Sequence, residues 1–314
     1  MQTISIVVPC YNEEGNIETT FETLSGVMNS IELKYEIIFV DNGGTDGQLG
    51  LMKNLYNKYP NIVRVVSLSR NFGYQMSISA GLEYATGDAV VMVDADLQDP
   101  PELIKQFVEK WQEGFDVVYG IREKRQGSFI LRVFYKLFYW IFSKTADIPI
   151  PMNSGEFSLM SRRVVDEIRA MPERIRFIRG LRAWTGFQQV GIPYKRLRRA
   201  EGKSKFSLFD NFVLALDGIL SFSTRILTFV SVMGFLIVLV SMLLLVYIVL
   251  GKFYSDIFVP GYAALMVTIS FFSGVIIAML GLIGASVERI FLEVKNRPKF
   301  IVKDTWGTDQ FNKK

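Results

Sequence analysis

Asp94, Asp96 and Gln98 follow an apolar run, Val90–Val93, at intervals of two residues. Two carboxylates and an amide oxygen are hard oxygen ligands of the kind Mg²⁺ or Mn²⁺ takes while it bridges phosphates. The apolar run reads as a buried parallel strand, and ligands of open α/β sheets bind at the carboxyl ends of such strands. A Lewis acid on a diphosphate is the chemistry this set suits, although an Asp-x-Asp pair also ends many strands without binding anything. Two other strand ends carry acids: Pro9-Cys10-Tyr11-Asn12-Glu13-Glu14-Gly15 and Asp41-Asn42-Gly43-Gly44-Thr45-Asp46-Gly47. The chain has no histidine and one cysteine. Ser-His, Cys-His and His-metal mechanisms are therefore excluded, any general base must be a carboxylate, and Cys10 reads as a packed thiol.

The elements that position these residues alternate. Ile4–Val8, Tyr35–Val40, Val63–Leu68, the Val93 run and Asp116–Gly120 read as five strands. Helices are expected over Asn16–Asn29, up to Tyr59, through Tyr84 and up to Gly114. Strand-helix alternation predicts a mainly parallel sheet with right-handed crossovers. Two helix starts have local explanations: Thr45 with Gln48 as a capping box, and Asp99 as N-cap ahead of Pro100 with Glu102 at N3. There is no GxGxxG or Walker loop, so a diphosphate would be met by the metal and by arginines, for which Arg122 and Arg125 are the candidates.

Half of the 314 residues are hydrophobic, and a mean hydropathy of +0.25 is high for an ordinary soluble domain. Ile226–Leu250 and Ala263–Val287 contain no charged residue, and each exceeds the roughly 20 residues that a bilayer crossing needs. They predict a transmembrane hairpin with an external loop at 251–262. The stretch 128–144 is apolar and aromatic but too short to span, so it reads as an interfacial helix or a core helix; 206–225 reads as a juxtamembrane amphipathic helix. The net charge is +4. The excess base gathers after Arg174, at Arg176, Arg179, Arg182, Lys195, Arg196, Arg198, Arg199, Lys203 and Lys205. Such a run in front of a span suits lipid headgroups or a lipid phosphate, and no nucleic-acid partner is expected. The loop at 251–262 is poor in Lys and Arg while both outer flanks are rich, so the sheet domain (1–205) and the tail (288–314) are expected in the cytoplasm. The chain enters its first strand without a charged-then-apolar leader, and no cleavable signal peptide is expected.

Six motifs in order resemble the family 2 inverting glycosyltransferases of the polyprenyl-phosphate type. They are Pro9-x-Tyr11-Asn12-Glu13, Asp41-Asn42-Gly43, Ser69-Arg70-Asn71-Phe72-Gly73, Asp94-Ala95-Asp96-Leu97-Gln98-Asp99-Pro100, Gly155-Glu156-Phe157-x-Leu159-Met160 and Glu288-x₄-Glu293-Val294-x₂-Arg297-Pro298. The chain is similar to dolichol-phosphate mannose synthase and to the bactoprenol glucosyltransferases of O-antigen modification. The resemblance implies a GT-A, Rossmann-like fold, a nucleotide-sugar donor with UDP-glucose as first choice, Mg²⁺ or Mn²⁺, an undecaprenyl phosphate acceptor and a multi-pass place in the bacterial cytoplasmic membrane. A homo-oligomer is left open. It further implies that Pro9, Tyr11, Glu13, Asp41 and Asn42 line the nucleoside pocket, that Asp94 contacts the nucleotide, and that Asp96 and Gln98 hold the metal. Three departures from the family pattern fall at four positions. Asn42 and Gly44 replace an acid and a serine of the turn, Tyr74 stands where Lys or His is common, and Glu156 stands where Asp is frequent.

The reaction expected is one in-line displacement with inversion. Asp96 and Glu156 are its catalytic candidates, Glu156 either orienting the acceptor or acting as base, and Arg198, Arg199 and Lys205 are expected to hold the acceptor phosphate. Two other readings stand beside it. A processive polysaccharide synthase would carry Gln-x-x-Arg-Trp, which Arg179–Trp184 lacks. A membrane scaffold that kept the fold without the chemistry draws on Asn42 and Gly44.

Overall fold

The computed structural model describes residues 2–123, 154–174, 176–196, 243 and 261–308. The calls at 128–144, Arg125, Arg198, Arg199, Lys205, 206–225, the external loop up to residue 260 and, apart from Leu243, the first span lie outside these residues. The chain divides into two units. One comprises 1–140, 148–218 and 297–314, the other 141–147 and 219–296.

In the first unit, β1 (Thr3–Cys10), β2 (Lys34–Asp41), β3 (Val63–Leu68) and β4 (Ala89–Met92) form the block β4-β1-β2-β3, parallel throughout. They match the first four expected strands within two residues. Three crossover helices link them: α1 (Ile17–Asn29), α2 (Gln48–Lys58) and α3 (Tyr74–Tyr84). Apolar residues on both faces make such strands, because helices cover the sheet twice. Ile4, Ile6 and Val8 of β1 pack with Phe21, Leu24 and Met28 of α1 and with Met52 of α2. On the other face α3 lies so close that a Cβ at Gly81 would come within 2.2 Å of Val7 Cγ1. The chain reverses its winding between β1 and β4. That switch point brings Pro9–Glu13 and Asp94–Asp99 to one edge of the sheet.

The other half of the sheet departs from the expected order. The fifth strand, β5 (Val117–Arg122), does not neighbour β4; β6 (Ser154–Ser161) lies between them, antiparallel to both. The Gly155-Glu156-Phe157 motif is thus a wholly buried strand. Helix α4 (Leu103–Gln112) precedes β5, α5 (Arg162–Ala170) and α6 (Ile178–Trp184) follow β6, and β7 (Gln189–Tyr194) runs parallel to β5 at the sheet's edge. At the opposite edge β8 (Val302–Trp306) pairs antiparallel with β3. Part of the expected tail therefore returns to the sheet and covers what would be an open edge. Among the described pairings four are parallel and three antiparallel.

Three local expectations are corrected. Helix α4 begins at Leu103 with Glu102 as its cap residue, and Asp99 caps nothing. Helix α2 begins after Gly47 without the expected capping box: Asp46 Oδ1 accepts from the Gln48 amide (3.2 Å), and the Gln48 side chain points into the protein. Two members of the expected basic run do not face solvent or a membrane: Arg176 and Arg182 are buried. Arg176 donates to Ile168 O (2.6 Å) and Met171 O (2.8 Å), satisfying carbonyls at the end of α5.

In the second unit the described helix is α7 (Gly261–Val294), which contains the expected second span. Its stretch Phe271–Val294 has a mean hydropathy of 2.0, long and apolar enough to cross a membrane, and among its described residues none is buried in protein. Phe271, Ile277, Leu280 and Ile290 are among its exposed apolar side chains.

Candidate active site

Two loops at the carboxyl edge are tied to each other. Asn12, with φ of 54°, accepts from the Thr45 amide (2.8 Å), and Gln48 Oε1 accepts from the Glu13 amide (2.9 Å). Gln48 Nε2 donates to Asp41 Oδ1 (2.5 Å), which also accepts from the Gly44 amide (2.9 Å), while Asp41 Oδ2 accepts from the Ser67 hydroxyl (2.8 Å). Of the expected nucleoside-pocket residues, Pro9, Asp41 and Asn42 are buried, whereas Tyr11 keeps its ring 36% exposed. Asn42 donates to Asn71 Oδ1 (3.1 Å) and accepts from the Phe72 amide (3.0 Å), fastening the Asp41 turn to the Ser69–Gly73 loop.

The departures at 42 and 44 thus have a packing account. A Cβ on Gly44 would lie 2.4 Å from Gln48 Nε2. Gln48 is fully buried and bonded at both ends, so it has nowhere to move. Restoring the family's serine, Gly44→Ser, is expected to destabilise the protein by about 1–3 kcal/mol, the usual cost of overpacking. A thermal midpoint at or above wild type in detergent would contradict this account.

After β4 the backbone turns through Asp94, Asp96 and a left-handed Leu97 (φ 50°), and Asp96 Oδ1 accepts from the Gln98 amide at 3.2 Å. Asp94, Asp96 and Gln98 are all half-buried, so the set is open on one side. Asp94 is pushed up to about 6, first by burial and then by the charge of Asp99, with Asp96 adding to it; the Tyr74 hydroxyl, which donates to Asp94 Oδ1 (2.5 Å), pulls the other way. No group of three His, Cys, Asp or Glu among the described residues is placed to hold a metal. Mg²⁺ and Mn²⁺ do not need one when phosphates complete the shell. A crowded, open pair of carboxylates fits a cation shared with a diphosphate.

Asp99 is 1% exposed. It accepts from the Tyr194 hydroxyl (2.6 Å) and from Arg122 (3.0 Å), with Arg196 Nε 3.3 Å away. Burial alone would lower Arg122, but Asp99 and Tyr194 outweigh it and hold the guanidinium firmly charged. Arg122 is therefore at the site but already paired.

Glu156 sits opposite the acid turn. The antiparallel pairing of β4 with β6 ends at Met92 and Ser158, and just beyond it the two residues that open α3 reach both sides: Tyr74 bonds Asp94 and Gln75 bonds Glu156. Gln75, the second residue of α3, donates Nε2 to Glu156 Oε1 (3.0 Å) and accepts from the Ile178 amide (2.9 Å). Arg179 Nε lies 3.6 Å from the same Oε1. Sequence reasoning missed Gln75, Gln48, Tyr194 and the pairing of α6 with Glu156. Tyr74-Gln75 following a recognised loop was a usable signal, as was the one-face spacing of Arg179 and Arg182; Tyr194 had none.

Residues 5–169 match the sequence model of glycosyl transferase family 2. An uncharacterized glycosyltransferase of Synechocystis sp. is 43% identical, covering 98% of this chain and 96% of that protein. An uncharacterized glycosyltransferase of Bacillus subtilis is 40% identical over 97% and 94%. A prophage-derived bactoprenol glucosyl transferase of Shigella flexneri is 38% identical over 96% and 97%.

Proposed function

The chain belongs to glycosyl transferase family 2, and on that footing we propose that it is a membrane-bound inverting hexosyltransferase, moving glucose from UDP-glucose onto undecaprenyl phosphate. The observation that carries this reading is that Tyr74 and Gln75, adjacent at the start of α3, bond Asp94 and Glu156 at the carboxyl edge of a GT-A-like sheet. Similarity to a bactoprenol glucosyl transferase along nearly the whole chain, the apolar helix included, supports a lipid acceptor.

In this reading the half-exposed Tyr11, with Pro9, Glu13, Asp41 and Asn42, frames the nucleoside, and Asp94 meets the nucleotide. Asp96 and Gln98 hold Mg²⁺ or Mn²⁺, which when bound offsets charge on the departing diphosphate. An oxygen of the lipid phosphate attacks the anomeric carbon from the face opposite that diphosphate. The new C–O bond forms as the old one breaks, and the electron pair leaves with the nucleotide. Lipid phosphates lose their second proton near pH 6, so the acceptor needs placing more than activating, and Glu156 takes what proton remains. Arg198, Arg199 and Lys205, just ahead of the first span, hold the acceptor phosphate near the headgroups. Arg122 and Arg125 attend the donor side, and the sheet domain lies in the cytoplasm.

Inverted membrane vesicles carrying the chain, supplied with radiolabelled UDP-glucose, undecaprenyl phosphate and Mn²⁺, are expected to make organic-extractable label that EDTA abolishes; sealed right-side-out vesicles are not. Arg199→Ala should raise the lipid needed by about tenfold or more with the donor requirement unchanged. No lipid product from any of a panel of nucleotide sugars would sink the proposal.

A further inference from the structure

Residues 299–307, which follow α7 in the chain, belong to the first unit and lie along β3. Covering an open sheet edge explains part of this arrangement. Val65 and Val66 pair with Trp306 and Thr305 in regular antiparallel register, and Lys53 stands 4.3 Å over the Trp306 ring. Edge cover does not explain the carboxyl end of β3. There the register shifts: Ser67 pairs with Asp304 but Leu68 with Val302, so Lys303 is an extra residue, carried out of the ladder with its side chain exposed. A bulge of this kind bends its strand and re-aims neighbouring side chains. The contact also runs on past the strand. The Ser69 amide donates to Ile301 O (2.9 Å), and Lys299 Nζ donates to Met171 O (2.6 Å), just after α5.

The two residues held at this point both serve the turn that frames the nucleoside in the function proposed above. Ser67 is 1% exposed, stands in register with Asp41 of β2, and donates its hydroxyl to Asp41 Oδ2 (2.8 Å). Ser69 opens the Ser69–Gly73 loop, in which Asn71 Oδ1 accepts from Asn42 Nδ2 (3.1 Å) and the Phe72 amide donates to Asn42 Oδ1 (3.0 Å). Gly43, with φ of 67°, lies so close to that loop that a Cβ on it would come within 2.5 Å of the Arg70 carbonyl carbon. On this side the Asp41–Gly43 turn leans on β3 and its loop. These in turn lean on residues 299–307.

We propose that residues 299–307 are a positioning strap for the donor site: by fixing Ser67 and Ser69 they set the Asp41–Asn42 turn that receives the nucleoside. This rests on the reading of that turn given above. The strap acts through β3 and its loop and touches no substrate. Linkage makes the effect reciprocal, so a donor that binds the set turn tightens the strap.

The test uses the full-length chain in detergent with UDP-glucose, Mn²⁺ and undecaprenyl phosphate, and compares Gly307→Val, Trp306→Ala and Lys303→Ala with wild type. Gly307 has φ of 74°, and a Cβ there would meet Tyr56 at 3.0 Å and the Val63 carbonyl oxygen at 3.2 Å, so Gly307→Val strains the strap far from the carboxyl end of β3. Trp306→Ala removes the ring that Lys53 covers. Lys303→Ala alters only an exposed side chain. Well below each thermal midpoint, Gly307→Val and Trp306→Ala are expected to raise the Kd and KM for UDP-glucose by about tenfold, within the usual range of coupling between sites. The KM for undecaprenyl phosphate should stay within about threefold, and Lys303→Ala should match wild type. In wild type, UDP-glucose should slow backbone hydrogen exchange over 299–307 together with 69–73. A lowered midpoint with an unchanged donor Kd in Gly307→Val and Trp306→Ala reduces the strap to edge cover and overturns the inference alone, as does an equal rise in both KM values. Exchange that slows over 69–73 but not over 299–307 overturns it as well, and that measurement decides the matter should neither variant fold. A wild type that binds no UDP-glucose, or binds it without slowing 69–73, overturns the reading of the turn and the inference with it.

Discussion

Asp96→Asn is expected to lower turnover by about a thousandfold while leaving the protein folded and membrane-inserted. Asp96 is half-buried at the end of a tight turn, and its Oδ1 accepts from the Gln98 amide at 3.2 Å, a bond that an asparagine oxygen also accepts. Stability should hardly change. In the function proposed above, what is lost is the one carboxylate of the pair that would hold the cation, Asp96 and Gln98, and transition-state charge stabilisation of this kind is worth several kcal/mol. A loss of about 4 kcal/mol is close to three powers of ten in rate. The same step predicts the pattern of the defect. Turnover by wild type should collapse with EDTA and return with Mn²⁺, whereas Asp96→Asn should respond weakly to either. Near wild-type turnover by Asp96→Asn, or full activity of wild type in EDTA, would remove Asp96 from the metal.

The parallel block was legible because its signal is local. β1 to β4 are apolar runs that end in acids and glycines, and buried parallel strands have that composition for a physical reason, since both faces are covered. β6 was not legible. Ser154, Gly155, Ser158 and Ser161 give little strand propensity, and the strand exists because β4 and β5 flank it. β8 had no local sign of joining a sheet whose nearest strand lies far back in the chain.

The polar residues failed in the opposite way, by having local explanations that were sufficient but wrong. Gln48 three residues after Thr45 satisfies the capping-box pattern, yet its amide is consumed by Glu13 and Asp41. Arg176 and Arg182 read as part of a surface basic run, yet these two face inward. In each case the decisive partner comes from another strand or loop, beyond what periodicity encodes. The motif spacing succeeded where it did because the acid turn and its strand are contiguous in the chain. Glu156 was legible as a residue but not in its place beside α3, where Gln75 bonds it while the adjacent Tyr74 bonds Asp94.

Asp99 separates a local from a tertiary explanation most sharply. As the N-cap of α4 its replacement by alanine would cost about 1 kcal/mol, and nothing done to Arg122 would alter that figure. In the structure Asp99 is 1% exposed and is the counter-ion of Arg122, the acceptor for Tyr194 and a near neighbour of Arg196. Removing one member of a buried charged pair typically costs about 3–5 kcal/mol, because the other is left without compensation. Arg122 and Arg196 keep 23% and 36% of their side-chain surface in solvent, and water recovers part of that loss, so the lower end of the range applies. At roughly 2–4 °C per kcal/mol for a domain of this size, Asp99→Ala should lower the thermal midpoint by about 6–12 °C. The Asp99→Ala, Arg122→Met double variant should recover several degrees, since it removes the stranded charge as well. Donor affinity should fall in the single variant too, for Asp99 and Asp94 share one edge of the cleft and Arg122 loses the bond that fixes it. A drop of only 2–4 °C that is indifferent to Arg122 would return Asp99 to the role of a helix cap and free Arg122 for the diphosphate.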